Sequence, residues 1–213
     1  PVTYQFDPDH TYPSFETDHF GGISTWRGKF TQTSGKVVVD TAKKTGELEA
    51  VINMDSFDSG NAGLNTHAKG AEILDVAKYP TAVYKGKLTK FKLGKPTEVV
   101  GELTLHGVTK PLNLKINSFK CFENPMTKKE TCGADATAKF DRAVFGIDYG
   151  KGYGFNMQTG PINLYFAQTG TKNIDDFFKN EYSNYGSMVA GFNDALVAAV
   201  NDLFPQRDNI IGN

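Results

Sequence analysis

A period of two runs through roughly the first four-fifths of this chain, and it limits the fold more than any other feature. Leu48, Ala50, Ile52 and Met54 alternate with Glu47, Glu49, Val51 and Asn53. Leu112, Leu114 and Ile116 alternate with polar neighbours in the same way. Successive side chains of a strand point to opposite faces, so this pattern gives each strand one apolar face and one wet face. Other short segments share the chemistry: 20–33 is aromatic and threonine-rich, 36–40 is β-branched, and 82–84, 88–93, 99–105, 134–140 and 162–166 read as further strands. Turn formers separate them, among them 43–46, Gly94-Lys95-Pro96 and the six residues 106–111. Many short strands spaced by turns argue for an antiparallel barrel or sandwich.

Two stretches break the pattern. Residues 65–78 lack β-branched runs, and the spacing predicts one or two short helical turns over the sheet, stopped by Pro80. Beyond about residue 172, Val189, Phe192, Leu196, Val200 and Leu203 recur at helical steps. The tail 173–213 is therefore expected as an amphipathic helical appendage, because some 40 residues seldom build a core of their own. It reads as a lid on the barrel, a contact for a second copy, or a membrane-surface helix. Residues 186–204 contain no Lys or Arg to favour the last of these.

Cys121 and Cys132 are the two cysteines. They flank a turn at Asn124-Pro125, in a spacing that fits neither a C-x-x-C redox pair nor a zinc knuckle. They read either as a disulfide stapling a hairpin or as two unrelated thiols. A disulfide would point to an oxidising compartment, periplasmic or extracellular.

Charge and motifs remove several function classes. Lys+Arg 23 against Asp+Glu 24 offers no basic surplus for nucleic acid. Aromatics at 12% are too many for a disordered chain. There is no apolar run of ~18 residues for a membrane-spanning helix. A chain starting at Pro1 without an apolar leader reads as a processed or engineered product. An enzyme reading has no G-x-S-x-G elbow, P-loop or H-E-x-x-H to stand on, and no catalytic cofactor is expected. Nothing brings His10, His19, His67 and His106 together as metal ligands. His106 reads as a structural hydrogen-bonding residue in its turn.

Four segments, in order, carry a family resemblance. The run Gly101-Glu-Leu-Thr-Leu-His-Gly-Val-Thr-Lys-Pro-Leu-Asn-Leu114 resembles the hallmark strand–turn–strand of the YceI-like family of lipocalin-like, polyisoprenoid-binding proteins. Tyr4-x-Phe-Asp-Pro-Asp-His10, with Phe15 and His19-Phe20, resembles its opening strand. Ala71-Glu-Ile-Leu-Asp-Val-Ala-Lys-Tyr-Pro80 resembles its helical segment, and Asp141-Arg142-x-x-Phe145-Gly146 a late barrel strand. The resemblance covers residues 1–172. It implies an all-β fold: an antiparallel lipocalin-like barrel of about eight strands with a short helical segment, around an elongated apolar tunnel. It further implies a periplasmic or secreted carrier of an isoprenoid lipid, either a polyprenyl carrier or an isoprenoid quinone. Transient membrane contact and a homodimer are further partners that the tail helix, not the resemblance, leaves open. The other class of reading is a secreted structural or stress-related barrel assembled through its tail, without lipid.

A prenyl tail needs a dry channel lined by aromatic and aliphatic side chains. The aromatic candidates for its wall are Phe15, Phe20, Trp26, Phe30, Tyr84, Phe119, Phe145 and Tyr149. The aliphatic ones are Ile23, Ile73 and Leu74, and His19 is placed, with His67, near the tunnel mouth to meet a headgroup. Each of the wall residues is equally at home as plain core packing.

Overall fold

The computed structural model describes residues 1–19 and 23–150 and the strands Met157–Gln158 and Ile162–Gln168. In chain order the first strands are β1 (Val2–Phe6), β2 (Tyr12–His19), β3 (Ser24–Phe30), β4 (Thr33–Asp40), β5 (Thr45–Asn53) and β6 (Phe57–Asp58). Helix α1 (Ala62–Lys69) follows, then β7 (Thr81–Thr89), β8 (Glu98–Leu105), β9 (Val108–Pro111), β10 (Leu114–Glu123) and β11 (Glu130–Thr137). The last are β12 (Met157–Gln158) and β13 (Ile162–Gln168). The tail helix expected over 173–213 lies outside the described residues.

Eight strands form a hydrogen-bonded ring, β1-β4-β5-β7-β8-β10-β11-β13, which closes because β13 pairs with β1 as well as with β11. Every pairing is antiparallel. Of the barrel and the sandwich that the alternation allows, this is the all-β antiparallel barrel that the family resemblance implies. Closure leaves the ring without a free sheet edge. Inward faces carry the apolar set: Val37 and Val39 on β4, Leu48 and Ala50 on β5, Val99 and Leu103 on β8 are all buried. Strands β2, β3 and β6 continue from β13 as a flap, with β2 passing from β13 at Tyr12 and Pro13 to β3 at Ser14 onward.

Strand β10 contains the irregularity that matters most below. Its register against β11 slips between Ile116 and Ser118. Before the slip Leu114 and Ile116 are buried; after it the inward positions are Phe119 and Cys121. A β-bulge re-aims the following side chains in this way.

Three local expectations are corrected. The helix runs over Ala62–Lys69 rather than within 65–78, because Asn61 caps its first turn by accepting the Leu64 amide at 2.9 Å and the chain leaves the helix at Gly70. Pro80 stops nothing; residues 70–79 form turns held by bonds such as Asp75 N to Gly70 O at 2.9 Å. The six-residue turn over 106–111 is a two-residue hairpin, with β9 paired back onto β8. His106 and Gly107 both have positive φ, 53° and 75°, which is the type I′ geometry that suits a right-twisted hairpin. Finally, Arg142–Phe145 is a 3₁₀ turn, not strand, capped by the Asp141 carboxylate on the Ala143 amide at 2.9 Å.

Candidate functional site

The ring encloses an apolar cavity of about 120 Å³ beneath the flap. One wall comes from Leu48, Ala50 and Ile52 of β5 with Ala82 and Tyr84 of β7. Register sets Ala50 opposite Tyr84 and Ala82 opposite Ile52, so a small side chain faces a large one at both levels. That pairing leaves space that two large residues would fill. The other wall is aliphatic, from Leu103 and Leu105 of β8 and from Leu112 and Leu114. The flap supplies the roof: Phe15 lies 5.1 Å from Phe57 and 6.0 Å from Phe30, and Phe30 and Phe57 are 5.8 Å apart, centroid to centroid. These separations are those of interacting aromatic pairs.

Glycines set where the aromatic rings rest. Phe15 pairs with Gly28 across β2–β3, and a Cβ on Gly28 would sit 2.4 Å from the Phe15 ring. Tyr84 rests over the paired glycines Gly86 and Gly101. A Cβ on Gly101 would meet the Lys85 carbonyl at 2.4 Å and the Tyr84 hydroxyl at 2.6 Å. From that hollow the Tyr84 hydroxyl donates to the Leu112 carbonyl at 2.9 Å. Burial pushes its pKa well above the ordinary tyrosine value. The phenol is thus neutral and spent on the backbone, and the ring offers the cavity carbon.

Arg142 is the single charged side chain among the described residues that line the cavity. The residue is only 7% exposed. Its guanidinium donates to the Tyr149 carbonyl. Burial lowers its pKa, opposed by the charges of Asp141 and Asp148. A guanidinium has five donors in a planar fork, and one set beside hydrocarbon is suited to an oxygen-bearing group on an otherwise apolar molecule.

The barrel's other end carries the second cysteine feature. Cys121 and Cys132 face each other across β10 and β11 and form a disulfide. The stapled-hairpin reading therefore holds, and the reading as two free thiols does not. Glu130 lies beside the disulfide and accepts the Tyr4 hydroxyl. Burial, then Glu130, raises the Tyr4 pKa above its ordinary value.

The YceI-like domain family matches residues 4–167 of this sequence. The chain belongs to the YceI-like family. A UPF0312 protein of Pseudomonas putida is 32% identical over 164 residues, covering 76% of this chain and 83% of the relative. Among solved structures, BcnA of Burkholderia cenocepacia superposes with a TM-score of 0.55 at 20% identity, covering 76% of this chain and 98% of that one. A polyisoprenoid-binding domain from Saccharophagus degradans superposes with a TM-score of 0.51 at 14% identity, over 79% of this chain and 97% of that one. At those identities the solved structures speak for the fold.

Within this YceI-like barrel the residues singled out from sequence separate into groups. Phe15, Phe30, Leu74 and Tyr84 line the cavity. Phe119 lies deeper in the barrel, against two other hollows, one of about 20 Å³ and one of about 400 Å³. Phe145 is 1% exposed and packs edge-on to Phe140, 5.2 Å away, as core outside the cavity wall. Ile73 is half-buried against the core beside Leu74, which takes the inward position. Ile23 is corrected outright: it sits in the turn before β3 at 81% exposure. Trp26 shares the Phe30 face of β3 but lies four residues away, about 13 Å along the strand, and does not reach the cavity. Tyr149 is 43% exposed, its ring edge-on to exposed His67 at 5.0 Å; its carbonyl, not its ring, meets the site through Arg142. Phe20 and the His19 side chain lie outside the described residues. His106 packs on the Tyr79 ring at 4.3 Å with its Nε2 buried and unbonded, so its place in the turn rests on stacking rather than the expected hydrogen bond. Sequence reasoning read Arg142 only as part of the Asp141–Gly146 segment, not as a cavity residue, and missed most of the aliphatic wall. The alternation at 103–105 and 112–116 carried the signal for the wall.

Proposed function

We propose that the barrel holds an isoprenoid lipid, a polyprenyl carrier or an isoprenoid quinone, with its tail in the apolar cavity and its headgroup toward Arg142. The observation that carries this reading is a nearly all-carbon cavity with one buried guanidinium in its wall. An amphiphile with a carbonyl or phosphate at one end matches that division. The polyisoprenoid-binding domain of Saccharophagus degradans, which shares the fold, supports the ligand class. The role is binding rather than catalysis, with the lipid as partner and no catalytic cofactor. A disulfide supports residence in an oxidising compartment, periplasmic or extracellular. The tail 173–213 is read as a separate appendage to this domain, available for a lid or a contact with a second copy.

Energetics favour a carrier over a trap. Burying roughly 600 Å² of tail from water releases about 15 kcal/mol at ~25 cal/mol per Å². The lipid's resting place is a bilayer, however, so transfer runs from one apolar medium to another and that term nearly cancels. Fit, chain ordering and headgroup contacts decide the remainder. The net affinity relative to a membrane is therefore modest, which suits a carrier that can reload.

Native mass spectrometry of the purified protein, followed by organic extraction, tests the reading. A stoichiometric prenyl species is expected. Arg142→Met is expected to weaken quinone binding about tenfold, or ~1.4 kcal/mol, while leaving a prenyl hydrocarbon without headgroup unaffected. A protein that carries no lipid and takes up neither added quinone nor polyprenol would sink the proposal and leave the fold as a structural barrel.

A further inference from the structure

The cavity under the flap is too small for a long tail. At about 120 Å³ it offers about the room in which an engineered apolar cavity of ~150 Å³ takes one benzene. One isoprene unit, five carbons, is of that order. A tail of several units needs more space along the same axis.

That space exists among the described residues. A second hollow of about 20 Å³ shares Leu48 with the cavity and is lined by Val37, Leu88, Val99 and Ile116. It shares Phe119 with a third, of about 400 Å³, beside the disulfide. The third hollow has a floor of Val39, Pro96, Phe119 and Cys121, and a rim that includes Thr41, Lys95, Lys120 and Glu130. Carbon below and charge above suit the end of a hydrocarbon chain that arrives from inside the barrel.

Phe119 is the partition. The bulge between Ile116 and Ser118 is what points it inward, since unbroken alternation from Leu114 and Ile116 would bring Ser118 to the interior instead.

We propose that Phe119 is the stop that sets how long a prenyl tail the barrel accepts, and that tails passing it enter the hollow beside the disulfide. This rests on the lipid-binding reading above. Phe119 is a specificity-determining residue in that reading, separate from the headgroup end.

The test is a series of all-trans polyprenols of increasing length, offered to the intact chain and followed by native mass spectrometry. Phe119→Ala removes a six-carbon ring and is expected to raise the longest alcohol retained by about one isoprene unit. Phe119→Trp is expected to lower it, and the shortest alcohols bind all forms alike. Phe119→Leu decides the matter should the alanine form fail to fold, with a smaller shift in the same direction. Independently, a long polyprenol bearing a photoreactive diazirine at its tail end is expected to label residues 93–96 or 119–121. An unchanged length limit in all variants, or label confined to the residues around Leu74, overturns the stop while leaving lipid binding in place. A wild-type protein that retains no polyprenol of any length overturns the lipid reading, and the stop with it.

Discussion

At the flap end of this barrel, space is kept by leaving side chains out; at the disulfide end, structure is kept by adding a covalent bond. The flap end has glycines where rings must rest, alanines opposite large residues and a roof of three phenylalanines. The disulfide end has a bulged strand, two facing cysteines and a charged rim. Both are built from the same alternating strands. The difference teaches that a period of two decides which face is inside but not whether the inside is filled. Occupancy is set by residue size at facing positions and by where the register slips.

The disulfide gives the largest expected contrast. Replacing Cys121 and Cys132 together by Ala should cost about 3 kcal/mol in urea unfolding, because it frees a short hairpin loop in the unfolded chain. Binding of a short polyprenol at the flap end should hold. Equal loss at both ends would show that the two regions act as one. Gly101→Ala should do the reverse. The new Cβ would collide with the Lys85 carbonyl and the Tyr84 hydroxyl, costing about 2 kcal/mol and displacing the ring from the cavity wall. Short-polyprenol affinity should fall with it, and unaltered affinity would deny Tyr84 its place in the site.

Acid gives the smallest and most local contrast. Asp58, by the flap, accepts the Gly60 amide at 2.9 Å and the Asn65 side chain at 3.1 Å, and these contacts hold its carboxyl below the ordinary range. Glu98, toward the disulfide end, is lowered chiefly by Lys90, 2.9 Å away. A carboxyl lowered in the folded state stabilises above its unfolded pKa, and that stabilisation fades as pH falls through about 4 and below. Asp58→Asn should blunt the acid loss measured at the flap and Glu98→Gln the loss at the other end. Both effects should be modest, because exposed charges are screened. Hydrogen exchange of the Gly60 and Thr89 amides against pH separates them.

Much of this was legible in the chain itself. The alternation at Leu48, Ala50 and Ile52 and at Leu112, Leu114 and Ile116 fixed the strands and their inner faces. The hallmark segment beginning at Gly101 indicated the family. The aromatic candidates were chosen by size, and size does not report direction. Ile23 was lost because a turn, not a strand, carries it outward. Phe119 stands inside only because of a register slip that leaves no mark in a local pattern. Arg142 stood in a quoted segment, but its place in the wall was not legible: its burial is produced by a 3₁₀ turn folding against the wall, a tertiary event. The helix begins early because Asn61 is a good cap, and it ends at Gly70, well before Pro80.

The seam between β1 and β13 also governs the order of assembly. Tyr4 faces Gln168 there, so nearly the whole barrel sequence separates two neighbours. Pairings this distant are the slow ones, since the chain loses its freedom before the contact rewards it. Until β13 pairs, β1 and β11 remain open edges and the apolar lumen faces water. In that interval the barrel is a trough rather than a tube, open along its whole side. An apolar molecule present while the chain folds therefore has an entrance that the finished ring no longer offers.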